Sequence, residues 1–297
     1  MTLDKFYTDP AVAIALKQHT YALLGADRPK YVMEPSAGGG AFLEDGDAVV
    51  SFDLSPDVKG GRTLQHDQLG FDTEHRGGLD PDFLRIVHEE AGEGRNILVI
   101  GNPPFGERSA LAVQFVNEYL GVGGVVAFVI PVTFKKWSVQ KRIRPDAQLI
   151  ANWHVPADAF HLPDGSPYRI RCVFQVWSIR PEEHRHPDLR LKAAPARSHP
   201  DFQMKRWNRV GDMEKAFAWD FDFAVRCQGH VNYREQFPAG FRPSDKSHYM
   251  MFKANSPPVL TKLRSMDFEA LANVQMITPG FGMADLVEAY EDAGNSG

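Results

Sequence analysis

The sequence predicts an α/β protein: a doubly wound sheet over residues 31 to 179, then a smaller C-terminal region of α+β or irregular character. Three observations carry this. Short apolar runs alternate with stretches of helical periodicity through the first part of the chain, the pattern of strands joined by crossover helices. The run Val125-Val126-Ala127-Phe128-Val129-Ile130-Pro131 is unbroken and apolar, as a central parallel strand covered on both faces must be. A glycine triplet, Gly38-Gly39-Gly40, comes shortly after a strand, where open α/β sheets bring backbone close to a ligand. With 297 residues, 43% of them apolar, the chain can bury one large core or two ordinary ones.

Taken in order, Phe6-Tyr7-Thr8-Asp9-Pro10 precedes the alanine-rich run from 11 to 16. Thr8 or Asp9 suits a helix N-cap and Pro10 its first turn, where the missing N–H is no loss. Tyr31-Val32-Met33 reads as a strand leading into Glu34-Pro35-Ser36-Ala37-Gly38-Gly39-Gly40-Ala41-Phe42. This resembles a nucleotide-binding loop, with a helix expected after it to present N–H groups to the ligand. It is neither a P-loop, since no Lys-Ser/Thr follows, nor G-x-G-x-x-G, and a plain strand-to-helix turn is the alternative. A second strand at 48–52 ends at Asp53, about twenty residues on, where an acid can accept hydrogen bonds from ribose hydroxyls. Asp67 is a further acid placed for an adenine amino group. Residues 70 to 96 are polar, broken by Gly77-Gly78 and Asp80-Pro81, with a helical pattern at Phe83, Leu84, Ile86 and Val87.

The strand Ile97-Leu98-Val99-Ile100 and a single Gly101 lead into Asn102-Pro103-Pro104-Phe105. Two prolines cannot extend a hydrogen-bonded ladder, so carbonyls there stay available as acceptors. The Asn102 amide adds another acceptor and Phe105 a face for a planar group, so the segment suits a planar amine. A helix follows at 109–120, with Leu111, Ala112, Phe115, Val116 and Tyr119 on one side. Trp153-His154-Val155 and the run from Cys172 to Trp177 read as the last strands, separated by a loop at 158–168. A linker at 182–187 then opens a polar, aromatic and basic region. The expected domains are therefore 1–180 and 181–297.

Charge divides the chain in the same sense. Residues 135 to 264 hold 23 of the 33 Lys and Arg but 13 of the 38 acids, a local balance of +10 against −15 elsewhere. A polyanion-binding region, or simply a solvated charged surface, would have this composition. The candidate nucleic-acid contacts are Lys135, Lys136, Lys205, Arg206, Arg209, Arg226 and Arg234. Cys172 and Cys227 are the only cysteines, which argues against a disulfide framework and a cysteine metal site. No stretch approaches the ~18 apolar residues of a membrane span, and no secretory signal is evident, so a cytoplasmic protein is expected.

These motifs in this order resemble the S-adenosylmethionine-dependent methyltransferases of amino groups, most closely the DNA adenine-N6 enzymes of bacterial and phage type. The resemblance covers residues 5 to 180. It implies a Rossmann-like catalytic domain in which Phe6, Thr8, Glu34, Pro35, Ala37, Gly38 and Gly40 surround the cofactor. Asp53 would take its ribose, Asp67 its adenine, and Asn102 would lie at the cofactor as well as the target. Asn102 and the Pro103 carbonyl would accept from the target amine, with Pro104 stiffening the turn and Phe105 stacking on the ring. The extra glycine of the loop and Asp9 in the first motif depart from the family pattern. About sixty residues separate the glycine loop from Asn102, too few for an inserted recognition domain, so the resemblance places target recognition C-terminally.

The function so implied is methyl transfer to adenine N6 in double-stranded DNA, with the base flipped out and no metal. A homodimer would match a palindromic target. The same tetrapeptide serves enzymes that methylate RNA bases or a protein glutamine amide, and a non-catalytic nucleic-acid-binding module would keep the fold.

Overall fold

In the computed structural model the described residues are 6–43, 49–53, 63–65, 84–85, 87–89, 96–106, 109–180, 186–208, 213–243, 247–273 and 278–295, with backbone alone at 49–53, 63–65 and 294–295. The chain divides into two compact units, Met1–Lys192 and Ala193–Gly297.

The first unit opens with β1 (Tyr7–Thr8) and α1 (Pro10–Leu24). The cap is Asp9, whose Oδ1 accepts from the Ala11 and Val12 N–H groups at 2.9 and 3.3 Å, with Pro10 in the first turn. One face of α1 is buried, carrying Ala13, Leu16, Lys17, Thr20 and Leu24. There follow β2 (Tyr31–Glu34), β3 (Val49–Asp53), β4 (Thr63–Gln65), β5 (Ile97–Gly101), α2 (Ala110–Gly123), β6 (Gly124–Pro131), α3 (Trp137–Gln140), β7 (Gln148–Val155), β8 (Phe160–His161) and β9 (Cys172–Ser178). Residues 84, 85 and 87–89 are helical, matching the helical pattern read there.

Seven strands form one sheet in the order β4-β3-β2-β5-β6-β9-β7. The first five are mutually parallel, and β9 runs antiparallel to both of its neighbours. Strand order reverses between β2 and β5, so the crevice at their carboxyl ends is the switch point of a doubly wound sheet. β5 and β6 are buried along their whole length, as their unbroken apolar sequences require. α2 buries Ala112, Val113, Phe115, Val116, Tyr119 and Leu120.

The boundary between the units falls twelve residues beyond the expected one, because residues 186 to 192 dock on the first unit. His186 Nε2 lies 3.0 Å from the Leu23 carbonyl, and the Leu189 N–H donates to the Leu149 carbonyl. The Arg190 guanidinium donates to four carbonyls, of Gln140, Ile143, Arg144 and Ala147, closing the turn that follows α3. Backbone bonds at Leu189 and Leu191 and a multiply bonded arginine make this a strap, which starts inside the linker expected at 182–187.

The second unit contains β10 (Phe202–Trp207), α4 (Met213–Phe217), β11 (Phe223–Gln228), β12 (Gln236–Pro238), β13 (His248–Ala254), α5 (Pro257–Ser265), α6 (Phe268–Ala272) and α7 (Met283–Asn295). Its sheet is wholly antiparallel, in the order β10-β13-β11-β12. Alternate residues feed two cores. Phe223, Val225, Met250 and Phe252 pack with Leu263, Phe268 and Leu286 of the helices, while Trp207, Tyr249 and Met251 pack with Phe217 and Phe221. The C-terminal region is therefore α+β. Both cysteines are buried free thiols, Cys172 in the first unit and Cys227 in the second, and burial pushes the Cys227 thiol up to about 11. That is the behaviour of inert packing residues.

Candidate active site at the switch point

The site is built where β2 and β5 lie side by side, with Met33 opposite Val99, β2 ending one residue later and β5 two. Glu34 closes β2 and is 2% exposed; Gly101 closes β5. Gly101 has φ 153°, and a Cβ there would stand 3.2 Å from Glu34 Cγ. Glycine thus lets the two strand ends close on each other and delivers Asn102 directly beside the loop that leaves β2.

That loop is a series of turns. The Gly40 N–H donates to the Ala37 carbonyl at 2.6 Å and the Leu43 N–H to the Gly40 carbonyl at 3.1 Å. The helix expected after it does not begin by Leu43, and residues 44–48 lie outside the described residues. Gly38, at φ 48°, lies under the Tyr7 ring, whose Cε1 would be 2.7 Å from any Cβ added there.

The N-terminal motif is held in place by β1, which pairs antiparallel with β8, Tyr7 opposite His161 and Thr8 opposite Phe160. The Asp9 N–H adds a bond to the Ala159 carbonyl at 2.8 Å. The loop expected at 158–168 therefore contains a two-residue strand whose partner is the start of the chain. On this support Phe6, Tyr7 and Thr8 reach two motifs at once. Tyr7 covers Gly38, and the Phe6 ring meets the Phe105 ring edge-on at 5.3 Å while also packing on Phe160 and Tyr168. Thr8 is 3% exposed, and its Oγ1 has no hydrogen-bond partner among the described residues.

Asn102 Oδ1 is likewise buried and without a partner. Buried acceptors and hydroxyls are normally satisfied, and leaving one unmet costs about 1–3 kcal/mol. Two such atoms, on separate motifs that the fold brings to one crevice, are where a ligand would complete the bonding. Beyond the tetrapeptide, the Phe105 carbonyl accepts from the Ala112 N–H at 3.3 Å and turns the chain into α2. Ser109, at φ 60°, is bonded through Oγ to Thr133 Oγ1 at 2.9 Å. Thr133 belongs to the turn Val132–Lys135 after β6, whose Phe134 carbonyl accepts from the buried Gln140 amide at 2.9 Å. Gln140 Oε1 in turn accepts from the Leu191 N–H at 2.8 Å, so the strap braces the floor of the site.

Of the residues expected here, Phe6, Thr8, Glu34, Pro35, Ala37, Gly38, Gly40 and Asn102 through Phe105 gather at the carboxyl ends of β2 and β5 or in β1 beside them. Asp53 ends β3, the neighbour of β2 on the far side from β5, and its side chain is outside the described residues, as is the whole of Asp67. Phe105 is 9% exposed, so the ring expected to stack on a target is largely covered. Two contributors escaped the sequence reading. Tyr7 was seen only as part of a motif. Lys17, fully buried, donates from Nζ to the Phe42 carbonyl at 3.1 Å and ties α1 to the end of the glycine loop. A lysine within the apolar stripe Ala13, Leu16, Thr20, Leu24 was the available signal, since lysine is rarely buried without a specific partner.

The expected nucleic-acid contacts separate by environment. Lys135 is exposed at the end of the turn after β6. Lys205 and Arg206 lie on β10 of the second unit, and Arg209 is outside the described residues. Arg226 is ion-paired to Glu235 and lies over the Phe237 ring, and Arg234 is paired to Glu269. Among the described residues no group of His, Cys, Asp or Glu side chains is placed to hold a metal, and no helix is long and apolar enough to cross a membrane.

Strand order, crevice and loop define a Rossmann-like α/β domain with a separate α+β unit after it. No protein-family profile and no curated protein matches the chain. Among solved structures it is similar to a candidate RNA methyltransferase from Pyrococcus horikoshii, 17% identical, with a TM-score of 0.37 over 59% of this chain and 87% of that one. It is also similar to the methyltransferase subunit of a type I restriction-modification system from Streptococcus thermophilus, 15% identical, with a TM-score of 0.34 over 58% of this chain and 44% of that one.

Proposed function

We propose that the protein transfers a methyl group from S-adenosylmethionine to the N6 amino group of adenine in DNA. The observation that carries this reading is the buried, unpartnered Asn102 Oδ1 at the switch point, on an Asn-Pro-Pro-Phe turn that offers acceptors to a planar amine. Residues fit the cofactor on the same grounds: Thr8 has an unmet hydroxyl, and the loop from Glu34 to Gly40 passes close under Tyr7 without side chains at Gly38. Thr8, Ala37 and Gly38 would hold its methionine part, and Asp53 and Asp67 its ribose and adenine. When bound, the cofactor supplies an electrophilic methyl on sulfur.

The chain's own part is to hold and polarise the amine. An aromatic amino group delocalises its lone pair into the ring, which makes it planar and weakly nucleophilic. Asn102 Oδ1 and the Pro103 carbonyl, accepting its two hydrogens, favour a tetrahedral nitrogen with the lone pair free for attack. Their positions are fixed before substrate arrives by the prolines and by Gly101, so little reorganisation is needed. A duplex adenine reaches such a crevice only by leaving the stack, at a cost of a few kcal/mol.

The direct experiment offers labelled S-adenosylmethionine with duplex DNA, single-stranded DNA, RNA and protein in parallel, followed by nucleoside analysis. N6-methyladenine from DNA is the expected product; label on RNA or protein with none on DNA overturns the target assignment. A second measurement addresses the cofactor contact. Gly38→Ala pushes a methyl group into the Tyr7 ring and is expected to raise the cofactor dissociation constant roughly tenfold by calorimetry. An unchanged constant would separate this contact from cofactor binding.

A further inference from the structure

We propose that the second unit carries a phosphate-binding cleft of its own, along the edge strand β10, which takes a sugar-phosphate segment of the polynucleotide. The polynucleotide as source of the phosphate rests on the function proposed above; the cleft's chemistry does not. It has a volume of about 560 Å³ and is lined by Arg197, Lys205, Arg206 and Lys215, with Asn208 among them and methionines as its apolar part. Among the described residues four cations and no carboxylate line it.

The pairing of charges elsewhere in the unit sharpens this. Arg226, Arg234 and Lys253 each have a carboxylate partner, Glu235, Glu269 and Asp220. Arg197, Lys205 and Arg206 have none among the described residues. Asp285, the nearest acid in sequence to the lining residues of α7, uses a carboxylate oxygen to accept from the Gly282 N–H at 2.8 Å. Arg206 donates from one terminal nitrogen to Gln228 Oε1 at 2.8 Å and lies against the buried Cys227 thiol, while its Nε has no hydrogen-bond partner among the described residues. A guanidinium fixed by neutral neighbours, with no carboxylate to neutralise it, keeps its charge and its remaining donors for an anionic oxygen. Lys205 is steadied over the Trp219 ring, its Nζ 4.7 Å from the centroid, which orders the cation without neutralising it. The lining methionines give sugar and base an adaptable apolar surface.

Arg197 and Lys205 are exposed, so Arg197→Gln with Lys205→Gln tests the cleft without disturbing a core. Binding of a fluorescein-labelled twelve-base-pair duplex to the full chain is followed by anisotropy between 50 and 200 mM salt, choices of the order that resolve counterion release. The variant is expected to bind at least about tenfold more weakly at the lower salt and to lose about 1–2 from the slope of log affinity against log salt. Unchanged affinity and slope overturn the proposal. Arg206→Lys, which keeps the charge and loses the fork, is expected to weaken binding without altering the slope; a slope lowered as much as in the double variant overturns the fork's assignment. Orthophosphate or adenosine monophosphate competing as well as the duplex at equal phosphate concentration shows a free-phosphate site and overturns the polynucleotide as occupant. Methyl transfer is read in the same preparations. Wild type without transfer, but with binding that depends on Arg197 and Lys205, sinks the catalytic reading and leaves the cleft. Transfer with binding indifferent to both residues does the reverse.

Discussion

Asn102→Ala is expected to lower methyl transfer by about a hundredfold or more while the melting temperature stays level or rises. Both halves follow from the same atom. Oδ1 is buried without a partner in the free protein, so its removal relieves a desolvated acceptor instead of breaking a native bond. In the transfer step it would be one of two acceptors shaping the amine, and deleting one preorganised electrostatic contact of that kind costs on the order of 10²–10³ in rate. The check pairs single-turnover kinetics with calorimetric unfolding and cofactor titration. Cofactor affinity should survive the change. A melting temperature that falls by many degrees, with activity lost only in proportion to unfolded protein, would make Asn102 structural and end the assignment.

Lys17→Met is the second large effect, and it acts at a distance from the chemistry. The methionine fills nearly the same volume, so the change removes the Nζ charge, with its bond to the Phe42 carbonyl and its approach to the Tyr21 ring, and leaves the packing. Losing the bond leaves that carbonyl buried and unmet, at about 1–3 kcal/mol, or a fall in melting temperature of roughly 3–10 °C for a protein of this size. Phe42 is 1% exposed and ends the glycine segment, so the loop should loosen where it would meet the cofactor. Weaker cofactor binding, near tenfold, with kcat retained at saturation is the expected signature. Cofactor affinity that does not change while stability drops would confine Lys17 to packing.

The sheet was legible where local sequence dictates local structure. The apolar run at 97–100 became β5, the unbroken one became β6, and the periodic stretch between them became α2, which ends three residues later than read, because Gly123 and Gly124 permit the helix to end against the next strand. The Asp9 cap with Pro10 was equally plain. Pairing was not legible. That β9 inserts between β6 and β7 is decided by which apolar faces meet after the chain has turned twice, and no single segment encodes it. The β1–β8 pair joins residues more than 150 apart through two rungs, too short to leave a periodic signal. The strap at 186–192 was hidden for another reason. Its stability comes from Arg190 reaching four carbonyls of a distant turn, and an arginine in a polar segment is indistinguishable from a solvated one until those carbonyls are in place.

At the site, the motif residues were legible as types, and their meeting point as a consequence of the switch in strand order. Which of them stay unsatisfied was not, since that depends on what surrounds Thr8 and Asn102 after folding.

On the proposed function, the contact between Phe6 and Phe105 would couple the cofactor side of the crevice to the target side. Phe6 belongs to the three residues that also carry Thr8 and the ring over Gly38, so a base stacking on Phe105 would touch the neighbour that shapes the proposed cofactor side. Linkage then imposes a symmetry: by whatever factor bound cofactor changes affinity for the target, bound target changes affinity for cofactor by that factor. Order of loading would then be a matter of rates, with the short β1 rung as the element through which each proposed ligand would register the other.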